Sequence, residues 1–132
     1  MGKIVYTSGV FDLFHAGHVE ALERARKLGD TLIVGVMSDV DTASYKRTPI
    51  IPYEQRIIIL QSIKNIDKVI HGPKTETEDF YQSFDIDIHC QGDQLVGFYE
   101  VAKRLGILQI VGRSKLTETT KIIQKITQSY ST

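Results

Sequence analysis

The sequence predicts an α/β fold in which a five-stranded parallel sheet lies between two layers of helices. Short apolar runs alternate along the chain with segments whose apolar residues recur at helical spacing, and this alternation is typical of such sheets. The run Thr31–Met37 is almost entirely apolar and rich in β-branched residues, as expected for a strand buried on both faces. Gly29 and Gly106 follow helical segments and mark their ends. The 132 residues fit a single domain, residues 1–132.

The first half of the chain supplies two strands and two helices. Ile4–Tyr6 is the first apolar run, and Val19–Leu28 follows as a helix because its alanines and leucines recur every few residues. Thr31–Met37 is the second strand. From Val40 to Pro52 the periodicity is lost, and two prolines and a basic pair predict a loop. Tyr53–Ile63 then repeats isoleucine and leucine at helical spacing and predicts the second helix.

The second half continues the pattern. Each apolar run is short, ends at a glycine or a polar turn, and is followed by a segment with helical spacing. The predicted strands are Lys68–His71, Ile86–Cys90 and Leu108–Val111, and the predicted helices are Thr77–Phe84, Val96–Leu105 and Thr119–Thr127. Ligands bind beyond the carboxyl ends of the strands in sheets of this kind. The residues that follow each strand are therefore the candidates for a functional site.

Composition and charge argue against several classes of protein. Hydrophobic residues make up 42% and charged residues 24% of the chain, which is ordinary for a soluble domain. Lys and Arg together number 16, as do Asp and Glu, so we expect no broad basic surface for nucleic acid or an anionic membrane. We also expect no bilayer-spanning segment and no secretory signal. Cys90 is the only cysteine, which fits a reducing, cytoplasmic setting.

The stretch from Gly9 to His18 carries the strongest chemical signal in the chain. It joins the first strand to the first helix, and His15 and His18 stand three residues apart within it. A helix start has unpaired N–H groups and a partial positive charge, so it suits an anion. Imidazoles placed there can donate hydrogen bonds to phosphate oxygens, and Gly9 and Gly17 let a phosphate approach the backbone closely. The stretch therefore predicts a phosphate site.

The same residues resemble a known family. Gly9–Asp12 (Gly-Val-Phe-Asp) followed by His15–His18 (His-Ala-Gly-His) is similar to the HxGH signature of the nucleotidyltransferase superfamily, and most similar to its cytidylyltransferase branch. That branch includes glycerol-3-phosphate and ethanolamine-phosphate cytidylyltransferases. The resemblance covers nearly the whole chain and implies a Rossmann-like three-layer sandwich. It further implies a homodimer that joins CTP to a small phosphorylated alcohol, such as glycerol 3-phosphate, and releases pyrophosphate.

The resemblance also assigns roles to individual residues. His15 and His18 would contact the nucleotide phosphates and stabilise the transition state, and Lys46 and Arg113 would offset the charge that builds during transfer. The implied nucleotide-binding residues are Ser8, Gly9, Val10, Phe11, Gly17, Asp93, Thr119 and Thr120. The implied acceptor-binding residues are Asp12, Lys46 and Arg56, and Arg56 would also hold the loop that carries Lys46.

Several of these residues have an ordinary structural alternative. Lys46 can be a solvated surface lysine, and Arg56 can be a surface residue or part of a dimer interface. Asp12 can cap its turn, and Thr119 can cap the last helix. Asp93 follows a glycine after the fourth strand, and a Gly-Asp turn forms without any ligand.

The chain departs from the family pattern at several positions, which include Leu116 in place of a linker glycine. Val10 stands where the family often has a threonine that can bind phosphate, so that contact is absent or moves to Thr7 or Ser8. Gln94 replaces a second aspartate after the fourth strand. Glu118 places a negative charge near the Thr-Thr pair that would clamp a phosphate. These departures bear on the choice of substrate.

The residue inventory favours direct transfer over a covalent enzyme intermediate. Histidine, lysine, arginine and threonine suit in-line attack by an acceptor phosphate oxygen on the α-phosphorus of a nucleoside triphosphate. That acceptor is ionised near neutral pH and needs no strong base. Mg²⁺ would bridge triphosphate oxygens with most of its ligands from substrate and water, and no protein metal site is expected. The competing interpretation is a metal site in which His71, His89 or Cys90 joins His15 and His18.

Two alternative functions remain open. The first is an adenylyltransferase that uses ATP and acts on a heptose phosphate or a flavin precursor. Val10, Ala16 and the run Ala25–Asp30 resemble the heptose-phosphate branch. The second is a nucleotide-binding module without turnover, which the departures at Gln94 and Glu118 allow.

Overall fold

Five parallel strands form a single sheet in the part of the chain that the structure describes. The computed structural model describes residues 2–92, 99–112 and 118–130. The strands are β1 (Ile4–Gly9), β2 (Thr31–Met37), β3 (Lys68–Gly72), β4 (Ile88–Gly92) and β5 (Leu108–Val111). Their order across the sheet is β3-β2-β1-β4-β5, and each neighbouring pair is parallel. The predicted α/β fold with its five-stranded parallel sheet is confirmed.

Helices cover both faces of the sheet. They are α1 (Ala16–Arg26), α2 (Asp39–Ala43), α3 (Tyr53–Gln61), α4 (Glu78–Ser83), α5 (Glu100–Leu105) and α6 (Thr119–Tyr130). Successive residues of a strand point to opposite faces, so β1 contributes to two cores. Val5 packs with Leu22 of α1 and Leu60 of α3 on one face. Tyr6 packs with Tyr81 of α4 on the other, where α5 also contributes.

The strand order reverses at β1, which determines where a ligand can enter. The chain runs from β1 outward to β2 and β3, and then crosses back to β4 and β5 on the other side of β1. In open parallel sheets a crevice forms at such a reversal, beyond the carboxyl ends of the two strands. Gly9 ends β1 and Gly92 ends β4, so the crevice lies beside the predicted phosphate motif.

The prediction of a loop from Val40 to Pro52 is wrong for its first four residues, because α2 spans Asp39–Ala43. Ser38 caps α2, since its side-chain oxygen accepts a hydrogen bond of 3.1 Å from the amide of Asp41. Asp39 and Asp41 also place negative charge in the first turn, where the helix dipole favours it. A five-residue helix is too short to show periodicity, so only its capping residues could have revealed it.

The first helix begins earlier than predicted, at Ala16 instead of Val19, because His15 acts as its N-cap. It ends at Arg26, so Gly29 lies beyond the helix end. Gly106, by contrast, caps α5 in the left-handed conformation, with φ 74°. Within the described ranges, no helix is long and apolar enough to cross a membrane.

Candidate active site

A cleft of about 530 Å³ opens at the carboxyl end of the sheet, at the reversal between β1 and β4. Its walls come from seven parts of the chain: the ends of β1, β2 and β4, the start of α1, the residues after α2, Tyr99 just before α5, and the start of α6. The phosphate motif therefore lines a cleft large enough for a small molecule. This is the default place for a small-molecule site.

His15 and His18 are held by backbone amides at the start of α1. The Nδ1 atom of His15 accepts a hydrogen bond of 3.0 Å from the amide of Gly17, and the Nδ1 atom of His18 accepts one of 3.2 Å from the amide of His15. A ring nitrogen that accepts a hydrogen bond carries no proton, so each neutral imidazole has its proton on Nε2. The capping geometry thus makes both Nε2–H groups donors.

The two imidazoles stack on each other, with ring centroids 3.9 Å apart. Phe14 stacks on the other side of His18 at 5.3 Å, and Phe11 lies 5.5 Å away. Burial, with smaller contributions from His15 and Lys46, lowers the pKa of His18 to about 3 despite the opposing charge of Asp12. Burial also lowers the pKa of His15. Near neutral pH both rings therefore act as neutral hydrogen-bond donors.

The depressed pKa of His18 links stability to pH. Below about pH 6.5, the ordinary value for histidine, the unfolded chain takes up a proton at His18 that the folded chain does not. The stability contributed by the neutral ring is therefore present above pH 6.5 and is lost as the pH falls toward 3.

Thr119 connects the start of α6 to the phosphate motif. Its Oγ1 lies 3.0 Å from Nε2 of His15 and donates a hydrogen bond of 3.0 Å to the carbonyl of Asp12. Because the hydroxyl proton of Thr119 is donated to Asp12, the Thr119 oxygen accepts the Nε2–H of His15. This agrees with the hydrogen bond from Gly17, which leaves the His15 proton on Nε2. Residues 104 positions apart thus form one chain of hydrogen bonds.

Replacing Thr119 with valine is expected to lower kcat/KM about five- to tenfold, because the variant loses the hydroxyl that orients His15. Thr119→Ser is the matched control, since serine retains the hydroxyl, and it is expected to stay near the wild-type value. Release of pyrophosphate, the product that the family resemblance implies, measures both variants. An equal loss in the serine variant would show that the methyl group of Thr119 matters and not its hydroxyl.

The turn before His15 contains two strained residues. Phe11 has φ 56° and Leu13 has φ 50°, in the left-handed region that residues with a Cβ rarely adopt. Phe11 is buried in the core, where its ring packs so near Gly9 that a Cβ at Gly9 would lie 3.0 Å from the ring. Tertiary packing therefore maintains this turn, and Gly9 leaves the space that the Phe11 ring uses.

Asp12 holds the loop that follows α2. Its carboxylate is 2% exposed, and its two oxygens accept hydrogen bonds from the amides of Ile50 at 2.8 Å and Ile51 at 2.9 Å. Arg47 lies 3.7 Å from the same carboxylate. Both oxygens of Asp12 are thus engaged by protein groups. This geometry gives Asp12 a positioning role, because it joins the phosphate motif to the loop. Asp12 also lines the cleft, and its assignment to acceptor binding stays a prediction.

Arg56 lies behind the cleft and does not line it. Its side chain is fully buried and donates to the carbonyls of Val10, Met37 and Ile51 at 2.7, 2.9 and 2.8 Å. It also forms an ion pair of 2.6 Å with Asp39. The expectation that Arg56 holds the loop agrees with this geometry. The expected contact with an acceptor phosphate does not, because no part of the guanidinium reaches the cleft.

Lys46 and Arg47 bring positive charge to the cleft wall. The amide of Lys46 donates to the carbonyl of Thr42 at 3.1 Å, so this lysine directly follows the last turn of α2. Partial burial and the charge of Arg47 lower the pKa of Lys46, and the charge of Asp12 opposes that change. Its exposed ammonium is placed to meet an anion in the cleft. The assignment of Lys46 over Arg47 as the catalytic cation stays a prediction.

Gln91 organises the floor of the cleft between β1 and β4. Its Oε1 accepts hydrogen bonds from the amide of Ser8 at 2.8 Å, from the hydroxyl of Thr7 at 3.2 Å and from the hydroxyl of Ser8 at 3.3 Å. Its Nε2 donates to the hydroxyl of Tyr99 at 2.8 Å. The hydroxyls proposed to replace the missing threonine at position 10 therefore line the cleft, and both are already bonded to Gln91.

The structure brings most of the predicted site residues into one cleft. Those that line it are Ser8, Gly9, Val10, Phe11, Asp12, His15, Gly17, His18, Lys46, Thr119 and Thr120. Asp93 and Arg113, and the departure at Gln94, lie outside the described residues. Sequence reasoning did not identify Met37, Gln91, Tyr45 and Tyr99 as site residues. The positions of Met37 and Gln91 at strand ends were the available signal, whereas the two tyrosines gave none.

The competing metal interpretation finds no support among the described residues, which contain no group of three or more His, Cys, Asp or Glu able to hold a metal ion. His89 is fully buried, and its Nδ1 lies 2.6 Å from the hydroxyl of Tyr81. Cys90 is buried too, whereas His71 is exposed beside Tyr53 on β3.

Comparison with known proteins agrees with this geometry. Residues 6–131 match the family model described as cytidylyltransferase-like. The chain is 36% identical over 135 residues to an ethanolamine-phosphate cytidylyltransferase of Dictyostelium discoideum, covering 94% of this chain and 38% of that protein. It is 37% identical over 131 residues to the bifunctional protein HldE of Enterobacter sp. (strain 638), covering 94% of this chain and 28% of that protein. The chain thus spans about a third of the length of these relatives.

A solved structure shares the fold over most of the chain. The lipopolysaccharide core biosynthesis protein from Thermoplasma volcanium GSS1 superposes with a TM-score of 0.73 at 30% identity, covering 89% of this chain and 100% of that one. Because the family model matches nearly the whole sequence and the HxGH histidines line the cleft, the chain belongs to the cytidylyltransferase-like family of the nucleotidyltransferase superfamily.

Proposed function

We propose that the protein is a nucleotidyltransferase that joins CTP to a small phosphorylated alcohol and releases pyrophosphate. The observation that carries this proposal is the pair of imidazoles of His15 and His18, whose Nδ1 atoms are fixed by backbone amides at a helix start beside the cleft. Each ring therefore carries its proton on Nε2, and Thr119 accepts the Nε2–H of His15. Neutral donors at a helix N-terminus suit a triphosphate, whose charge they can meet without a change of protonation. The ethanolamine-phosphate cytidylyltransferase relatives support the same class of reaction.

In the proposed reaction an oxygen of the acceptor phosphate attacks the α-phosphorus of CTP. The bond between that phosphorus and the bridging oxygen to the β-phosphate breaks, and pyrophosphate leaves with the electron pair. His18 donates its Nε2–H to an oxygen that gains charge, and His15 exchanges its hydrogen bond to Thr119 for one to a second such oxygen. Lys46 offsets that charge from the loop. Until that exchange, Thr119 keeps His15 in its donor orientation. Mg²⁺ enters bound to the triphosphate as part of the nucleotide substrate.

An ATP-dependent enzyme that acts on a sugar phosphate is the second candidate. The match to HldE has the same coverage of this chain as the match to the cytidylyltransferase, and the Thermoplasma structure is described as a lipopolysaccharide core biosynthesis protein. Val10 and Ala16 also resemble the heptose-phosphate adenylyltransferase branch. This candidate uses the same histidines and differs in the base and the acceptor.

A panel of pyrophosphate-release assays tests the proposal. CTP and ATP are each combined with phosphoethanolamine, glycerol 3-phosphate and a heptose phosphate. We expect turnover with CTP and a phosphorylated alcohol to exceed the best ATP reaction by about tenfold or more, equal to about 1.4 kcal/mol of discrimination. Faster turnover with ATP and the heptose phosphate would establish the second candidate. If nucleotide binds but no combination gives turnover, the protein is a nucleotide-binding module without enzymatic activity.

Homodimerisation and a cytoplasmic setting stay predictions. The amphipathic helix α6 supports homodimerisation. In the part of the chain that the structure describes, no residue of this helix is buried. Ile126 is 50% exposed and Tyr130 is 80% exposed on this helix. A second copy of the chain that covered α6 would add buried apolar area to a small domain.

A further inference from the structure

A narrow side pocket of about 20 Å³ adjoins the cleft and contains a buried carboxyl group. It shares Ser8, Met37, Tyr45 and Tyr99 with the wall of the cleft, so the two spaces are neighbours. Glu76 lines the side pocket only. A volume of this size holds about one group as large as a water molecule. The pocket therefore suits a single small polar group at the end of a ligand that occupies the cleft.

Glu76 is almost completely buried, with an exposed fraction of 4%. One of its oxygens accepts a hydrogen bond of 3.4 Å from the hydroxyl of Tyr6, and the hydroxyl of Ser8 is a further neighbour. In the described ranges, the ion pairs within 4 Å do not include Glu76, although Lys74 lines the same pocket. A buried carboxylate without a cation is costly, and burial raises the pKa of Glu76 to about 7.

Among the described residues no cation lies within 4 Å of the Glu76 carboxyl group, and Lys74, which lines the same pocket, is exposed to solvent. The hydroxyl of Tyr6 donates to the carboxyl group, and Tyr99 lines the same pocket. Burial, with a smaller contribution from the charge of Glu76, raises the pKa of Tyr6, Tyr81 and Tyr99, so all three phenols stay neutral. Neutral aromatic rings beside a carboxylate are a favourable environment for an organic ammonium ion. A residue that costs stability and lines a pocket adjoining a ligand cleft is expected to serve a ligand.

We propose that Glu76 is the specificity residue for the acceptor and binds an ammonium group at the end opposite the acceptor phosphate. The acceptor is then a phosphorylated amino alcohol, and the side pocket selects it over a phosphorylated polyol. This inference rests on the proposed function of the cleft. An ammonium group is the size of one water molecule and brings the missing charge, whereas a polyol presents several hydroxyls and no charge. The ethanolamine-phosphate cytidylyltransferase relatives act on an acceptor of this kind.

Glu76→Gln tests the proposal, because glutamine keeps the shape and the hydrogen bond from Tyr6 but removes the charge. We expect kcat/KM for phosphoethanolamine to fall about 10- to 100-fold, the usual effect of losing a hydrogen bond to a charged partner. The kcat/KM for glycerol 3-phosphate is expected to change little. Glu78→Gln is the matched control, since Glu78 lies two residues away on α4 and faces exposed Arg104 at 3.6 Å. It is expected to change neither value.

The pH profile gives a readout that a merely structural role would not change. Because the pKa of Glu76 is raised to about 7, we expect wild-type kcat/KM for phosphoethanolamine to rise with pH around neutrality. This rise is expected to be larger than the rise in kcat/KM for glycerol 3-phosphate. The second acceptor corrects for ionisation of the phosphate itself, whose pKa is about 6. The titratable groups near Glu76 are Lys74 and four tyrosines, Tyr6, Tyr45, Tyr81 and Tyr99. Burial raises the pKa of each phenol, so the tyrosines stay protonated. In Glu76→Gln the additional rise is expected to disappear.

The outcomes separate this inference from the proposed function. If the wild type turns over but prefers glycerol 3-phosphate or a heptose phosphate, or if Glu76→Gln lowers all acceptors equally, the role of Glu76 is wrong and the nucleotidyltransferase stands. If no combination releases pyrophosphate, the proposed function fails, and calorimetry with phosphoethanolamine and CTP tests Glu76 without turnover. Binding weakened at least tenfold in the variant would support the role, and equal or absent binding would overturn it. Circular dichroism is expected to show a Tm for Glu76→Gln no lower than that of the wild type.

Discussion

His18→Asn is expected to lower kcat by about 100- to 1000-fold, equal to about 3–4 kcal/mol, while the chain keeps its fold. The oxygen of asparagine can take the position of Nδ1 and accept the hydrogen bond from the amide of His15, so the helix cap survives. Asparagine has no group at the position of Nε2, so the donor that we propose for the phosphates is lost. Single-turnover pyrophosphate release with saturating CTP measures the effect on the chemical step.

The matched control for this variant is His71→Asn. His71 is exposed on β3 beside Tyr53 and does not line the cleft, so kcat is expected to stay within about twofold of the wild type. Far-UV circular dichroism checks that both variants are folded. A folded His18→Asn protein with wild-type kcat would remove His18 from the mechanism and leave it as a helix cap.

Arg56→Met is expected to lower the free energy of unfolding by about 3–5 kcal/mol, the largest stability change among our predictions. The guanidinium is fully buried and serves three backbone carbonyls and the carboxylate of Asp39. Methionine fills much of the volume but leaves all four acceptors without their donor. Because those carbonyls belong to the phosphate motif, the end of β2 and the loop, their arrangement depends on one side chain.

Urea denaturation at pH 7 measures this change. Arg104→Met is the control, since Arg104 is 64% exposed in its ion pair with Glu78, and its effect is expected to stay within about 0.5 kcal/mol. Arg56→Lys is expected to recover only part of the lost stability, because lysine keeps the charge but cannot reproduce the planar set of donors. A stability of Arg56→Met equal to that of the wild type would contradict the assignment of Arg56 as the residue that joins these segments.

The fold could be predicted from the sequence because its signals are local. The runs Thr31–Met37 and Leu108–Val111 were predicted with the same bounds that β2 and β5 have. Strands of a parallel sheet with helices on both faces are short apolar runs, so composition alone identifies them. The helix α2 was not predicted, because five residues are too few for a periodic pattern and its capping serine was the only local signal.

The site was only partly predictable, because its residues meet through contacts between distant segments. His15 and His18 could be identified because the strand, the turn and the helix cap are contiguous in the chain. The partner of His15, Thr119, lies 104 positions later, and its hydrogen bond to His15 had no local signal. Arg56 and Asp12 were predicted as acceptor-binding residues, yet burial turns them toward backbone groups. Sequence pattern cannot distinguish a buried arginine from one that faces a ligand.

The sequence by itself determined the α/β fold, the position of the phosphate motif at a helix start and the membership of the family. These depend on hydrophobic spacing and on short contiguous motifs. Only the tertiary structure decided which nitrogen of each histidine donates, which arginine is buried behind the cleft, and that Glu76 faces the space beside it. Protonation and hydrogen-bond partners depend on desolvation and on neighbours that folding brings together, and these are properties of the three-dimensional arrangement.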